Sequence, residues 1–397
     1  MTKRPKATIN PALLVWARKS AGYEPDVAAG KLGVDEERLL AWEAGDEPPS
    51  IPQLRNMAEL YKRPLAVLYL PKPPTTFQPM HDFRRLPDVG PRRFSPDLTL
   101  EIRLAQQRRM LAIELFEDAE ERPRPFMLQT TIDTDPESVS QSVREALRVD
   151  YALQSHWRDP RVAFLAWRSR IEEIGVLVFQ ASRIESGEAS GFAYWADALP
   201  FIVVNRKDAY ARRVFSLLHE LAHLMLRQSG VSDLDADGPR RAEDERIEVF
   251  CNQVAAAALM PRAQLLAEPL VAAKGGGRSE WSDDDIRALA TIYSVSREAV
   301  VRRLLTLNRT SEAFYARKRA QYAAEFRELQ EQMKEKNAGK SIARNMPRET
   351  VADYGRPFVR RVIENYHLDR ITISDVSGYL GVKARHIPGI EQQLGIS

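Results

Sequence analysis

Cysteine is nearly absent from this sequence. Its 397 residues include a single cysteine, Cys251, so an internal disulfide bond is excluded, and a small fold held together by disulfides is excluded with it. The first residues, MTKRPKATINPALLVWARKSAGY, lack the long apolar core and the small-residue cleavage site of a secretory signal peptide. These two absences predict a cytoplasmic protein.

Long apolar runs and a strong net charge are absent as well. No apolar stretch approaches the ~20 residues that a helix needs to cross a bilayer, which predicts that no membrane is a partner. The net charge is only +3, so no strong overall field favours nucleic acid or a membrane surface. Hydrophobic residues make up 44% of the chain and charged residues 28%, a composition typical of globular proteins.

Composition divides the chain into four segments. Residues 9–70 carry apolar residues at helical spacing, with glycine stops at Gly22, Gly33 and Gly45, which is the pattern of short helices joined by tight turns. A proline-rich stretch from Pro71 onward breaks regular structure and is typical of a linker. The predicted domains are a helical domain at 1–75, a proline-rich linker with connecting helices at 76–150, a candidate catalytic domain at 151–310 and a helical C-terminal region at 311–397.

Three short runs in the third segment are rich in β-branched and aromatic residues. They are VLVFQ at 176–180, SGFAYWA at 190–196 and PFIVVN at 200–205, and they predict a small three-stranded sheet. Most of the remaining chain has helical patterns. The predicted fold class is therefore mainly α, within α+β.

The segment FSLLHELAHLML, residues 215–226, carries two imidazoles and a carboxylate within an otherwise apolar helix. Burying such groups is costly unless something pairs with them. His219 and His223 lie four residues apart and share one helix face, while Glu220 lies beside them on the next row. Converging neutral imidazoles bind Zn²⁺ well, and a neighbouring glutamate can take a proton from water, which is the logic of H-E-x-x-H metallopeptidases.

The alternative for this helix is a solvated polar stripe without a metal. With six histidines in the chain, chance would produce the motif in about one such sequence in a hundred. The spacing therefore favours the metal site.

A catalytic zinc site needs a third protein ligand. The extended form of the motif requires glycine at 226 and histidine at 229, whereas this chain has Leu226 and Ser229, so that form is excluded. The other common solution is a glutamate from a nearby helix, and RAEDERIEVFCNQVAAAALMP supplies Glu248, four residues before Asn252 and in line with a run of alanines. Glu245 lies on the same stripe and is the second candidate. Acidic residues near a helix N-terminus can also simply complement the helix dipole.

These segments together resemble a known family. IVVN, then RVFSLLHELAHLML, then E-x-F-C-N-x-V-A-A-A-x-L-M-P, over roughly residues 200–261, are similar to the peptidase domain of the ImmA/IrrE family. The resemblance implies a zincin-like fold and a zinc-dependent endopeptidase that cleaves a repressor or an antitoxin-like regulator. It also implies that His219, His223 and Glu248 bind zinc and that Glu220 is catalytic. One departure is Phe250, where many members have a second acidic residue.

The N-terminal segment resembles an XRE-type helix-turn-helix domain. The resemblance is carried by AAGKLGV and, after it, by L-x-x-W-E-x-G-x-x-P-P-S, and it implies DNA as a partner. Weak candidates for contacts with DNA are Lys31 and Arg38, because phosphate contacts need lysine and arginine. The expected recognition helix is acidic, with Asp35, Glu36 and Glu37 at its start. DNA binding and a structural or protein-binding use of the same fold therefore both stay open.

The leading hypothesis is a zinc metalloendopeptidase with a helix-turn-helix-like N-terminal module. In this hypothesis PFIVVN is expected to offer a sheet edge to an extended substrate segment. The competing hypothesis is a DNA-binding transcriptional regulator, or an antitoxin-like scaffold, whose peptidase fold only binds partners. It predicts sequence-specific DNA binding without proteolysis.

Overall fold

The computed structural model describes residues 9–74, 80–82, 94–232, 242–337 and 344–396. The chain divides into two compact units. The first unit contains the described residues up to Met80 and those between 94 and Gln107, and the second contains His81, Asp82 and the described residues from Arg108 onward. A search of the described ranges found no helix that is long and apolar enough to cross a membrane.

The first unit is built from short helices. They are α1 (Pro11–Lys19), α2 (Pro25–Leu32), α3 (Glu36–Ala44), α4 (Ile51–Leu60), a 3-10 helix (Leu65–Tyr69) and the beginning of α5 (Pro96–Glu117). Gly33 and Gly45 end α2 and α3 in the left-handed conformation, with φ of 68° and 86°, which glycine adopts without the steric cost of a Cβ. Asp35 lies at the N-cap of α3, but its side chain makes no capping hydrogen bond.

A buried ion pair joins α1 to α3 within the first unit. Arg18 Nε donates to Glu43 Oε1 at 2.7 Å, and Arg18 Nη2 donates to Glu43 Oε2 at 2.8 Å. The two side chains are only 6% and 5% exposed. They lie beside an apolar core that includes Leu14, Leu39 and Trp42. Because each charge is buried with its partner, removing one of them leaves the other uncompensated.

The second unit combines many helices with one small sheet. After the end of α5, its helices up to the sheet are α6 (Pro136–Ala146), α7 (Tyr151–Gln154) and α8 (Pro160–Glu173). Its strands are β1 (His81–Asp82), β2 (Leu177–Ala181), β3 (Gly191–Tyr194), β4 (Phe201–Asn205) and β5 (Gly230–Ser232). The later helices are α9 (Tyr210–Met225), α10 (Ala242–Leu259), α11 (Arg262–Ala267), α12 (Pro269–Ala272), α13 (Asp283–Tyr293), α14 (Arg297–Thr306), α15 (Glu312–Asn337), α16 (Met346–Tyr354), α17 (Arg356–His367), α18 (Ile373–Leu380) and α19 (Ile387–Leu394), with a 3-10 helix (Ala384–His386) before the last. The expectation of a mainly α fold within α+β is confirmed.

The sheet has five strands in the order β1-β5-β3-β4-β2. The three expected strands are present as β2, β3 and β4, and the short strands β1 and β5 extend the sheet. β3 runs antiparallel to both β4 and β5, whereas β2 is parallel to β4 and β1 is parallel to β5.

The expectation that PFIVVN offers a free sheet edge is wrong. This run forms β4, and β4 is hydrogen-bonded to β2 on one side and to β3 on the other. Both edges of β4 are therefore used inside the sheet. The outer edge of β2 is covered as well, because Arg168 donates to the carbonyl oxygen of Val178 and helix α16 packs against this strand.

One apolar core runs through the second unit. It joins buried side chains of α6, α8, the sheet, α9, α10, α13 and α14, among them Val143, Trp167, Leu217 and Val254. Since α6 contributes to this core, residues of the predicted connecting segment pack with the predicted catalytic domain. The core fixes α9 against the sheet on one side and against α10 on another.

Candidate metal centre

The C-terminal part of helix α9, residues 216–225, is buried throughout, and this explains its apolar sequence. The helix packs against α8, β3, β4 and α10. His219 and Glu220 are 0% exposed and His223 is 1% exposed. Three titratable groups thus lie in the interior of the unit, and their solvation must be replaced by other interactions.

Helix α10 brings Glu248 to the same place. Ala255, Ala257 and Ala258 are 0% exposed, and such small side chains allow α10 to pack tightly against its neighbours α9 and α6. Glu248 is 1% exposed and Phe250 is 4% exposed. Phe250 therefore belongs to the core, where a second acidic side chain would be buried.

The potential ligand atoms of His219, His223 and Glu248 converge. His219 Nε2 lies 3.1 Å from His223 Nε2, His223 Nε2 lies 3.1 Å from Glu248 Oε1, and His219 Nε2 lies 3.4 Å from Glu248 Oε2. A tetrahedral site with metal–ligand bonds of about 2.0–2.1 Å separates its ligands by about 3.3 Å. Two imidazoles and a carboxylate are also a donor set that Zn²⁺ accepts, so the residues fit the metal that the motif implies.

The surroundings of His223 and Glu248 shift their pKa values toward the protonation states that metal binding requires. Burial lowers the pKa of His223, which favours the neutral imidazole that a metal requires. Burial opposes ionisation of Glu248, but the neighbouring imidazoles of His219 and His223 outweigh it and lower the pKa of Glu248 to about 2. The ionised carboxylate is the form in which Glu248 can bind a divalent cation.

Glu220 is buried beside the ligand cluster and does not belong to it. In the described part of the chain neither carboxylate oxygen has a partner at full hydrogen-bond geometry, and the hydroxyl group of Ser232 stabilises the ionised form only in part. Burial, together with repulsion from Glu248, raises the pKa of Glu220 well above its ordinary value. A carboxyl group with a raised pKa is suited to accepting and returning a proton near neutral pH.

Gly191 in β3 makes room for Glu220. A Cβ at this position would lie 2.7 Å from the carbonyl oxygen of Val203 and 3.1 Å from Glu220 Oε1. Because only glycine lacks a Cβ, it lets β3 pass this close to the carboxylate. The only signal for Gly191 in the sequence is its place inside a strand pattern, where a glycine often marks such a close approach.

Ser232 in β5 also contacts the cluster. Its Oγ lies 3.3 Å from His223 Nε2, and the residue is 0% exposed. A hydroxyl group therefore belongs to the polar surroundings of the cluster. The sequence held no signal for it, because Ser232 lies nine residues after His223 in a strand of only three residues.

The other candidate residues lie outside the cluster. Glu245 is exposed, so the structure brings Glu248 and not Glu245 to the histidines. Within the described ranges, His219, His223 and Glu248 form the one group of three or more potential ligands. The thiol of Cys251 is buried in the core, and burial raises its pKa well above the ordinary value.

The DNA-contact candidates of the first unit differ in their surroundings. Lys31 and Arg38 are both exposed, and the Arg38 guanidinium lies 5.7 Å from the centre of the Trp42 ring. Arg18 is committed to its buried ion pair with Glu43. The exposed start of α3 keeps its acidic residues, because Glu36 and Glu37 both face solvent.

Comparison with known families agrees with this geometry. Residues 171–305 match the model of the M78 peptidase family, described as the IrrE N-terminal-like domain. The matched stretch contains α9 and α10, and with them the three potential ligands and Glu220. It supports the resemblance to the ImmA/IrrE peptidases, which are metal-dependent and zincin-like. A comparison with curated proteins gave no match.

Proposed function

We propose that this protein is a zinc-dependent endopeptidase in which His219, His223 and Glu248 hold the metal. The observation that carries the proposal is the convergence of three buried ligand atoms at separations of 3.1–3.4 Å. The buried carboxylate of Glu220 lies beside them, without a partner at full hydrogen-bond geometry among the described residues. The family match over residues 171–305 supports the same chemistry.

The catalytic work of the chain's own residues falls to Glu220. A bound zinc ion would supply Lewis acidity for the attacking water and for the scissile carbonyl group. Glu220 takes the proton of the attacking water and then delivers it to the amine that leaves, so the carboxylate ends the cycle unchanged. Burial of Glu220 keeps bulk water away from this proton transfer and raises its pKa toward the working range.

The substrate that we propose is a regulatory protein of the repressor or antitoxin-like kind. The resemblance to the ImmA/IrrE family and the family match support this class. The first unit would then bind a partner protein. Glu36 and Glu37 of this unit are exposed, and Arg18 is buried in an ion pair. This charge distribution favours a protein partner over the phosphate backbone of DNA.

Metal content and proteolysis test the proposal together. Purified protein supplied with zinc is expected to retain about one zinc per chain, and His223→Ala should lose most of it, because a three-ligand site rarely survives the loss of a ligand. The candidate substrates are the proteins encoded beside the gene, and their cleavage is measured after incubation with the purified protein. Equal and negligible metal in the wild type and in His223→Ala would refute the metal site.

A DNA-binding measurement distinguishes the proposed peptidase from the competing hypothesis of a DNA-binding regulator. A gel-shift titration on the DNA upstream of the gene should give weak binding that falls steeply with salt, because the exposed start of α3 is acidic and any phosphate contacts rest on flanking lysine and arginine side chains. Nanomolar, sequence-specific binding without cleavage of any neighbouring protein would instead establish the regulator.

A further inference from the structure

Asn252 contacts one histidine of the proposed ligand set, at the ring nitrogen that faces away from the other two ligands. It lies on α10 four residues after Glu248, so the same helix face presents both side chains to α9. Asn252 Oδ1 is 3.1 Å from His219 Nδ1. The other ring nitrogen of this histidine, Nε2, faces His223 and Glu248.

The contact fixes which nitrogen of His219 carries the proton. An amide oxygen can only accept a hydrogen bond, so Nδ1 must be the donor. In a neutral imidazole, Nε2 then keeps its lone pair. With the other tautomer, Nε2 would direct an N–H bond at His223 Nε2 and Glu248, and His219 could not bind a metal through the atom that faces them.

The hydrogen bond to His219 is the main polar interaction of the Asn252 side-chain amide. Asn252 Nδ2 is buried and has no hydrogen-bond partner in the described ranges. A buried donor without a partner costs about 1–3 kcal/mol. An apolar residue of similar size would avoid that cost, so the bond to His219 is the contact that favours an amide at this position.

We infer that Asn252 is a positioning residue that holds His219 in the Nδ1–H tautomer and fixes its ring plane, leaving Nε2 available to the metal. This inference rests on the proposed zinc site. In the described ranges the one side-chain hydrogen bond of Asn252 is to His219, so it acts through this histidine. A partner that fixes the tautomer of a metal ligand in this way typically contributes about 10- to 100-fold to metal affinity.

Two substitutions and a control on the same helix test the inference through zinc affinity. Asn252→Leu keeps the approximate volume and removes the acceptor, so zinc should dissociate about 10- to 100-fold more readily in a chelator competition. Asn252→Asp keeps an oxygen that accepts from Nδ1–H when the carboxylate is ionised, so its zinc affinity should not fall below that of the wild type. Gln253→Leu, at the exposed neighbouring position, should change nothing. Wild-type affinity in Asn252→Leu, or equal weakening in both Asn252 variants, would overturn the inference.

A second measurement does not require zinc. Nitrogen-15 spectra of the metal-free protein, labelled at its six histidines, report the tautomer of each neutral imidazole. His219 should be the Nδ1–H tautomer in the wild type and in Asn252→Asp, and a mixture in Asn252→Leu. The same tautomer in all three proteins would overturn the inference. If the wild type binds no zinc, the proposed function fails, whereas the spectra still decide the role of Asn252.

Discussion

Replacing Gly191 with alanine is expected to disturb Glu220 while leaving the proposed zinc ligands in place. The added Cβ would lie 2.7 Å from the carbonyl oxygen of Val203, and 3.1 Å and 3.3 Å from Oε1 and Cγ of Glu220. None of these close contacts involves His219, His223 or Glu248. The substitution therefore acts on the carboxylate that we propose as catalytic and on the pairing of β3 with β4.

The size of the effect follows from these distances. The contact with Val203 is about 0.7 Å shorter than the 3.4 Å at which ordinary contact begins, and the contact with Glu220 Oε1 is about 0.3 Å shorter. Strand β3 must therefore shift against β4, and the Glu220 side chain must give way as well. Overpacking of this kind costs about 1–3 kcal/mol of unfolding free energy, which a domain with roughly 5–15 kcal/mol can lose without unfolding. Displacing a catalytic group by about 1 Å lowers the rate on the order of 100-fold. The expected loss of kcat/KM is therefore on the order of 10- to 100-fold.

The assay compares zinc content, thermal unfolding and cleavage of the protein substrate for Gly191→Ala and for a matched control. Gly277→Ala is the control, because a Cβ at this exposed glycine would meet no atom within 4 Å. Gly191→Ala should keep its zinc and lose most of its cleavage, whereas Gly277→Ala should match the wild type. Wild-type cleavage by Gly191→Ala would refute the reasoning, since it would mean that β3 does not confine Glu220. Loss of zinc would show that the carboxylate and the ligand set are not independent.

Two further predictions concern the third ligand and the buried ion pair. Glu248→Ala should weaken zinc binding strongly in equilibrium dialysis, while Glu245→Ala, at an exposed position, should leave it unchanged. The opposite result would show that the third ligand is Glu245, one turn earlier on α10. Arg18→Met should lower the free energy of unfolding of the first unit by about 3 kcal/mol, because the buried Glu43 loses its partner. Urea-induced unfolding measures this loss. The control Lys19→Met, at an exposed position, should change the free energy of unfolding little, and equal effects of both substitutions would contradict a structural role for the ion pair.

The local parts of the site could be predicted from the sequence. The spacing of His219 and His223 determines their shared helix face, because four residues make about one turn of an α-helix. The choice of Glu248 depended on where the apolar part of α10 begins. The structure brings Glu248 to the histidines and leaves Glu245 exposed.

The long-range parts could not be predicted. Strands β1 and β5 have two and three residues, which is too short for an alternating pattern to be recognised. The sheet order places β4 between two other strands, and this order depends on pairings between segments far apart in the sequence. The contacts of Gly191 with Glu220 and of Ser232 with His223 depend on the same pairings, so neither residue had a strong signal of its own.

Glu220→Gln tests the central claim most directly, with zinc content and proteolysis measured on the same preparation. The side chain keeps its size but can no longer take a proton, and Glu220 is not among the three converging ligands. The variant is therefore expected to hold about one zinc per chain, as the wild type does, and to cleave no protein that the wild type cleaves. Undiminished cleavage by Glu220→Gln, or loss of its zinc, would contradict the proposed roles.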